Sequence, residues 1–163
     1  RTELLFNENI SINSSINTTL DSKNFFYQDA KINFNVINGK INFNKTRLIN
    51  KKIGLLELEN SNLSFENDRL ILNTDILIDI NNFDKLFSLL QINKKFRKPI
   101  KNILINLDYD LLTKQIKFNN LKIENKEVSE ELLIIMEGFR DNNTNNWNKS
   151  RRLFNTLFKT YEG

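Results

Sequence analysis

Asp108 and Asp110 stand two residues apart in an alternating apolar run, a spacing that sets both carboxylates on one face of a β-strand. A carboxylate pair of this kind can serve general acid–base chemistry or a calcium site, but either needs further ligands close by. None converges on the pair in the sequence, and a polar, solvent-facing strand side is the simpler reading. A second group with chemical potential is the basic run Lys94, Lys95, Arg97, Lys98 and Lys101 around Pro99. Such a cluster suits phospholipid phosphates at the mouth of a groove or on a membrane surface. It is equally what a solvated loop looks like in a lysine-rich chain.

The residues that are missing narrow the chemistry further. The 163 residues include no His and no Cys. That removes an imidazole base, the Ser-His-Asp arrangement, thiol nucleophiles, zinc–thiolate sites and disulfides. No P-loop, Gly-rich dinucleotide turn or nucleophile elbow is present. An enzyme built here would have to work with Asp, Glu, Lys, Ser or Tyr alone. The expectation is a protein that is not an enzyme and uses no cofactor and no metal.

Asn accounts for 29 residues, roughly 18% of the chain, against a single Ala, a single Pro and four Gly. Residues with A/T-rich codons are enriched and those with G/C-rich codons are scarce, which points to an A/T-rich genome. The formal charge of +4 and a pI near 9.2 therefore reflect codon supply of Lys, and no nucleic-acid partner is expected from them. The same bias explains Asn-x-Ser/Thr matches such as those at Asn13, Asn44 and Asn62, which imply no glycosylation. At 39% hydrophobic the chain can build a core. No apolar run approaches the ~18 residues that a membrane-spanning helix requires. The chain opens on Arg1 without a signal-peptide pattern and reads as a fragment, so that any anchor or targeting segment would lie upstream.

Period-two alternation dominates residues 30 to 125. It runs through Ile32, Phe34 and Val36; Ile41 and Phe43; Leu56 and Leu58; Leu63 and Phe65; Leu70 and Leu72; and Ile76, Ile78 and Ile80, with Thr74 a gap in that row. It resumes at Ile103, Ile105, Leu107 and Tyr109, then Ile116 and Phe118, and after a phase shift at Asn119–Asn120 at Leu121 and Ile123. These are half-buried strands, and the phase shift predicts a bulge. Asn38-Gly39, Glu66-Asn67-Asp68 and Thr113-Lys114 supply tight turns, so successive strands pair antiparallel in a meander.

Three segments switch to helical spacing. Phe83, Leu86, Phe87 and Leu90 predict a short helix near 82–92 with Asn81 or Asn82 as N-cap. Ser129 caps a second helix running through Leu132, Leu133, Ile135 and Met136. After the Asn-rich stretch 142–146, a third places Trp147, Arg151, Phe154, Leu157, Phe158 and Tyr161 on one side. It either lies on a membrane surface or caps the sheet end. The predicted class is α+β: an extended, curved antiparallel meander (1–127) with one inserted helix, then a helical cap (128–163).

So few helices cannot cover the apolar face of so many strands. Either two sheets pack on each other as a sandwich, or the sheet curls into a trough whose inner face meets something else. The apolar face would consist of Ile32, Phe34, Ile41, Phe43, Leu56, Leu58, Leu63, Phe65, Leu70, Leu72, Ile76, Ile78, Ile80, Ile103, Ile105, Leu107, Ile116 and Phe118. Acyl chains suit such a face because they demand no hydrogen bonds.

The run Ile37-Asn38-Gly39-Lys40-Ile41-Asn42-Phe43 resembles the Ile-Asn-Gly-x-Ile strand openings of AsmA-like proteins. Leu55 to Phe65, Leu70 to Ile80 with its Leu-x-Leu-Asn-Thr, Leu107-Asp108-Tyr109-Asp110, Thr113-Lys114 and Leu121-Lys122-Ile123 resemble that family's rhythm of short strands over residues 30 to 125. The resemblance, to the C-terminal region of AsmA-like, TamB-related proteins, implies a Gram-negative envelope protein. It would be periplasmic, tethered to the inner membrane by an upstream anchor, and engaged in phospholipid transport or outer-membrane assembly. Phospholipid would be its partner and no catalytic residues would carry over. The competing expectation is a self-packed β-rich structural or interaction module, adhesin- or appendage-like, with no lipid role.

Overall fold

The computed structural model describes residues 6–19, 27–139 and 147–161. Its strands are β1 (Ser11–Thr19), β2 (Asp29–Ile37), β3 (Lys40–Asn42), β4 (Thr46–Asn50), β5 (Gly54–Glu66), β6 (Arg69–Ile80), β7 (Asn102–Asp110), β8 (Gln115–Ile123) and β9 (Lys126–Glu127). The helices are α1 (Phe83–Leu89), α2 (Glu130–Glu137) and α3 (Trp147–Thr160), with a 3-10 turn at Lys94–Phe96. All described strands pair antiparallel in one nine-stranded sheet, an α+β meander in which β3 and β4 lie end to end between β2 and β5. No second sheet faces it among the described residues, so a two-sheet sandwich is not the arrangement seen.

Local chemistry sets the turns. Asn38 and Gly39 both have positive φ, 49° and 71°, the signature of a type I′ hairpin whose twist matches its strands. A side chain at Gly39 would also collide with the Phe6 carbonyl, where the turn leading into β1 tucks under the hairpin. Asn67-Asp68 and Glu124-Asn125 repeat the double positive φ at two further hairpins. Asn82 caps α1 by accepting from the Lys85 N–H at 3.0 Å. Ser129 occupies the N-cap of α2 but contributes no side-chain hydrogen bond, and its carbonyl accepts from Leu132 instead.

A line of irregularities crosses the sheet at mid-height. β3 and β4 are separated by Phe43–Lys45; in β5, Asn60 and Ser61 together oppose Thr74; in β8, Asn119 is the extra residue opposite the Asn106–Leu107 step. Bulges bend the strands that carry them, so this line creases the sheet. Side chains close the broken ladder along it. Asn44 Oδ1 accepts from the Ser61 N–H at 2.6 Å, Thr46 Oγ1 both accepts from and donates to the Asn33 backbone, and Asn33 Nδ2 donates to the Lys45 carbonyl at 2.8 Å.

The helices pack against one end of one face. Beneath them Ile80, Ile103, Leu121 and Ile123 meet Leu86, Phe87, Leu90, Ile92, Leu132, Met136, Leu157 and Phe158 in a single core. Phe87 stacks edge-on against Phe158 at 5.2 Å, and Phe139 bridges Phe118 and Phe154 at 5.9 and 5.0 Å. Asn155 Nδ2 ties α3 to the carbonyl of Leu90 at 2.7 Å. The cap arrangement of α3 is thus realised through Phe154, Leu157 and Phe158. The Trp147 side chain and the Asn-rich stretch 142–146 lie outside the described residues.

Candidate functional site

Antiparallel partners point to the same side of a sheet, so register assigns each residue to a face. Ile32 and Phe34 lie on β2; Val36 on that strand pairs with Ile41; Ile41 pairs with Leu63, Leu63 with Leu72 and Phe65 with Leu70. Leu56 pairs with Ile78, Leu58 with Ile76, and Gly54 with Ile80. Ile76 pairs with Ile105, Ile78 with Ile103, Leu107 with Phe118, and Tyr109 with Ile116. The expected apolar residues therefore share one face. Phe43, which follows β3, joins them by packing on Phe34 at 5.6 Å between ring centroids.

The face is unevenly covered. Ile80 and Ile103 are buried in the core under the helices, and Ile78, Ile105 and Phe118 pack against it. Beyond that core Ile41 and Leu107 are buried, while Phe34, Phe43, Leu56, Leu58, Leu63, Leu70, Leu72, Ile76 and Ile116 are only half-buried, and Ile32 and Phe65 are exposed. A small recess between Leu48, Leu56, Ile78 and Leu86 encloses about 20 Å³, room for no more than a water-sized guest. The open stretch is a surface and not a chamber.

The opposite face carries most of the polar residues beside Ile49, Leu55, Ile71, Leu77 and Leu104, and Asn carries much of its bonding. Asn73 Nδ2 donates to Asp108 at 2.6 Å, and Asp75 accepts from Asn106 at 2.6 Å and Asn60 at 2.7 Å. Asp108 and Asp110 do share a face, but they are engaged separately. Asp110 is buried and accepts from Arg69 Nε at 2.8 Å and from the N–H groups of Leu112 and Thr113. The Arg69 guanidinium, then those turn N–H donors, outweigh burial and hold its carboxyl at about 2, below the ordinary 3.8. The carboxylates brace a strand pair and a turn.

The basic run divides. Lys95 and Lys98 line an open recess of about 410 Å³ together with Lys159, Phe96, Glu131, Phe158, Thr160 and Tyr161. The ammonium groups of Lys95 and Lys159 lie 4.8 and 5.7 Å from the Phe96 ring centre, a cation–π arrangement that gathers positive charge there. Burial, and secondarily the Glu124 carboxylate, raise the Tyr161 phenol above its usual range. Lys94 is exposed outside the recess. Arg97 is engaged within the protein: its side chain turns inward, donating to the Ile92 carbonyl at 3.0 Å and facing Asp84 at 3.6 Å, where it fastens the loop to α1. Lys101 contributes its backbone N–H to the Glu124 carboxylate, which also accepts from Asn102.

The lining of this basic recess comes from the 3-10 turn with the segment after it, from α2 and from α3 with the residue that follows, and includes no sheet residue. The structure thus separates two features that the sequence suggested would meet at a groove mouth. Sequence reasoning missed Lys159 as the partner of Lys95 and Lys98, because a distance of sixty residues along the chain leaves no local signal. It also missed β1 and β4. The period-two row Ile12, Ser14, Ile16 and Thr18 was present but interrupted by polar residues at alternate inward positions.

No protein-family model, curated protein or solved structure matches the chain. No helix among the described residues is long and apolar enough to cross a membrane.

Proposed function

We propose that the chain is a non-enzymatic lipid-contacting segment whose open apolar face receives phospholipid acyl chains. The observation that carries the proposal is the row of half-buried Leu, Ile and Phe side chains that continues past the helical cap with no helix over it among the described residues, where Phe6 meets it only at Phe65. Aliphatic chains satisfy such a surface without hydrogen bonds, and contiguous apolar surface is where soluble proteins meet partners or lipid. The resemblance to AsmA-like, TamB-related proteins supports the same reading. It adds a periplasmic setting, an inner-membrane tether outside this chain and a part in phospholipid transport or outer-membrane assembly.

The recess of Lys95, Lys98 and Lys159 would accept an anionic phosphate apart from the acyl face. A phospholipid with a photoreactive acyl chain tests the assignment. Cross-links should map to β5, β6 and the start of β8, around Leu63, Leu72 and Ile116. Labelling confined to the helical cap, or none above a detergent control, would reject it. The second reading, an interaction module without a lipid role, is favoured by a different feature, the edge of β1, which no strand occupies among the described residues.

A further inference from the structure

β1 pairs with β2 without a break from Ser11 opposite Ile37 to Thr19 opposite Asp29. A strand this regular presents an equally regular row of N–H and C=O groups along its other edge. Among the described residues no strand occupies that edge. Exposed edges are normally guarded by charge, proline, a bulge or brevity, because an unguarded edge is a template for another strand. The sequence Ser-Ile-Asn-Ser-Ser-Ile-Asn-Thr-Thr has none of these. At the opposite side of the sheet β8 carries Lys117, Lys122 and the Asn119 bulge, and is partly covered by the two-residue β9. Among the described residues one edge is protected and the other carries no strand.

We propose that the bare edge docks a second copy of this chain, β1 against β1, antiparallel about a twofold axis through Ser15 and perpendicular to the sheet. An isologous contact requires a surface complementary to itself, and a charge at its centre would meet its own image. The full overlap of Ser11–Thr19 with its copy sets Ile12 opposite Thr18 and Ser14 opposite Ile16 on the apolar face. On the polar face it sets Asn13 opposite Asn17 and Ser15 opposite itself. No like charges meet, and the apolar–β-branched and amide–amide pairs are ones that antiparallel strands favour. Ile12 and Ile16, 43% and 56% exposed, each gain a neighbour. The axis keeps both apolar faces on the same side, so two copies share one continuous apolar surface. This inference does not depend on what that surface binds.

Sedimentation velocity of the full 163-residue chain over a wide concentration series should show a monomer–dimer equilibrium. Ser15→Lys sets two like charges against each other at the axis and should raise the dimer dissociation constant by about tenfold or more, with an unchanged thermal melt at concentrations where both proteins are monomeric, because Ser15 is exposed. Ser15→Cys, the only thiol in the molecule, should oxidise to a disulfide-linked dimer, since opposed Cα atoms lie about 4.5–5.5 Å apart. Lys117→Cys at the guarded edge should not. A chain that stays monomeric throughout overturns the proposal. So does a dimer that ignores Ser15→Lys and leaves Ser15→Cys reduced, because it would be using another surface.

Discussion

Ile103 and Leu72 lie on the same face of the same sheet, on adjacent strands, and are both aliphatic, yet they live in different surroundings. Ile103 is sealed beneath α1, α2 and α3, among Phe87, Leu121 and Phe158. Leu72 lies on the other side of the crease, half-buried against Leu63 and Tyr109 with no helix above it. The capped half is held by packing. The open half is held by its hairpins, by side-chain bonds along the crease and by the Arg69–Asp110 pair at its far end. An alternating sequence specifies a face but not what covers it.

The largest expected effect comes from charging the two halves in turn. Ile103→Asp buries a carboxylate with no partner and should unfold the protein, because an unpaired buried charge costs several kcal/mol against a total stability of about 5–15 kcal/mol. Leu72→Asp forfeits most of one leucine's burial and partly desolvates a carboxylate, about 2–3 kcal/mol, and should still fold. Circular dichroism melts of the two variants decide this, and equal destabilisation would erase the distinction between the halves. Ile78 and Ile105 are poorer probes of the open surface, since both pack against the capped core.

Next in size, Phe87→Ala should cost about 3–5 kcal/mol, because it empties the site between Phe83 and Phe158 where the surrounding helices cannot fully collapse. Urea titration should show a lower midpoint. At the open end Gly39→Ala should cost about 1–3 kcal/mol through its positive φ and the Phe6 carbonyl behind it. A neutral result there would mean that the hairpin end contributes little to the sheet.

The fold was largely legible in the sequence because Ile, Leu and Phe kept their alternate positions even within an Asn-rich alphabet. Asn38-Gly39, the N-cap choice of Asn81 or Asn82 and the phase shift at Asn119–Asn120 each pointed to a local geometry that the structure has, with Asn82 as the cap and Asn119 as the bulge, since their signals are confined to a few residues. The gap at Thr74 was also visible. The bulge opposite it was not, because the two residues that oppose Thr74, Asn60 and Ser61, belong to a strand whose register only pairing defines. The site was legible as a list and not as a layout. Periodicity places Leu72 and Ile103 on one face but carries no information about which of them a helix covers. Arg97 illustrates the same limit: its charge is plain in sequence, whereas its turn toward Ile92 and Asp84 depends on the folded loop.

A smaller effect concerns acid. Asp110 has its pKa lowered to about 2 from an ordinary 3.8, so the stability it lends is fully present above the unfolded value and is lost as pH falls through the folded one. Thermal melts between these two values should therefore decline, and Asp110→Asn should flatten that decline. The loss should be felt first at the open end, where Asp110 joins β7 to Arg69 and to the Leu112–Thr113 turn. An unchanged acid profile in the variant would assign the decline to other carboxylates.

The most direct test of the central claim is native mass spectrometry of the chain purified from cells without detergent exchange, alongside Leu72→Asp. Phospholipid-mass adducts are expected on the wild-type protein and should be lost in the variant while its melting curve stays cooperative. A lipid-free wild-type protein, or adducts that persist undiminished in Leu72→Asp, would contradict it.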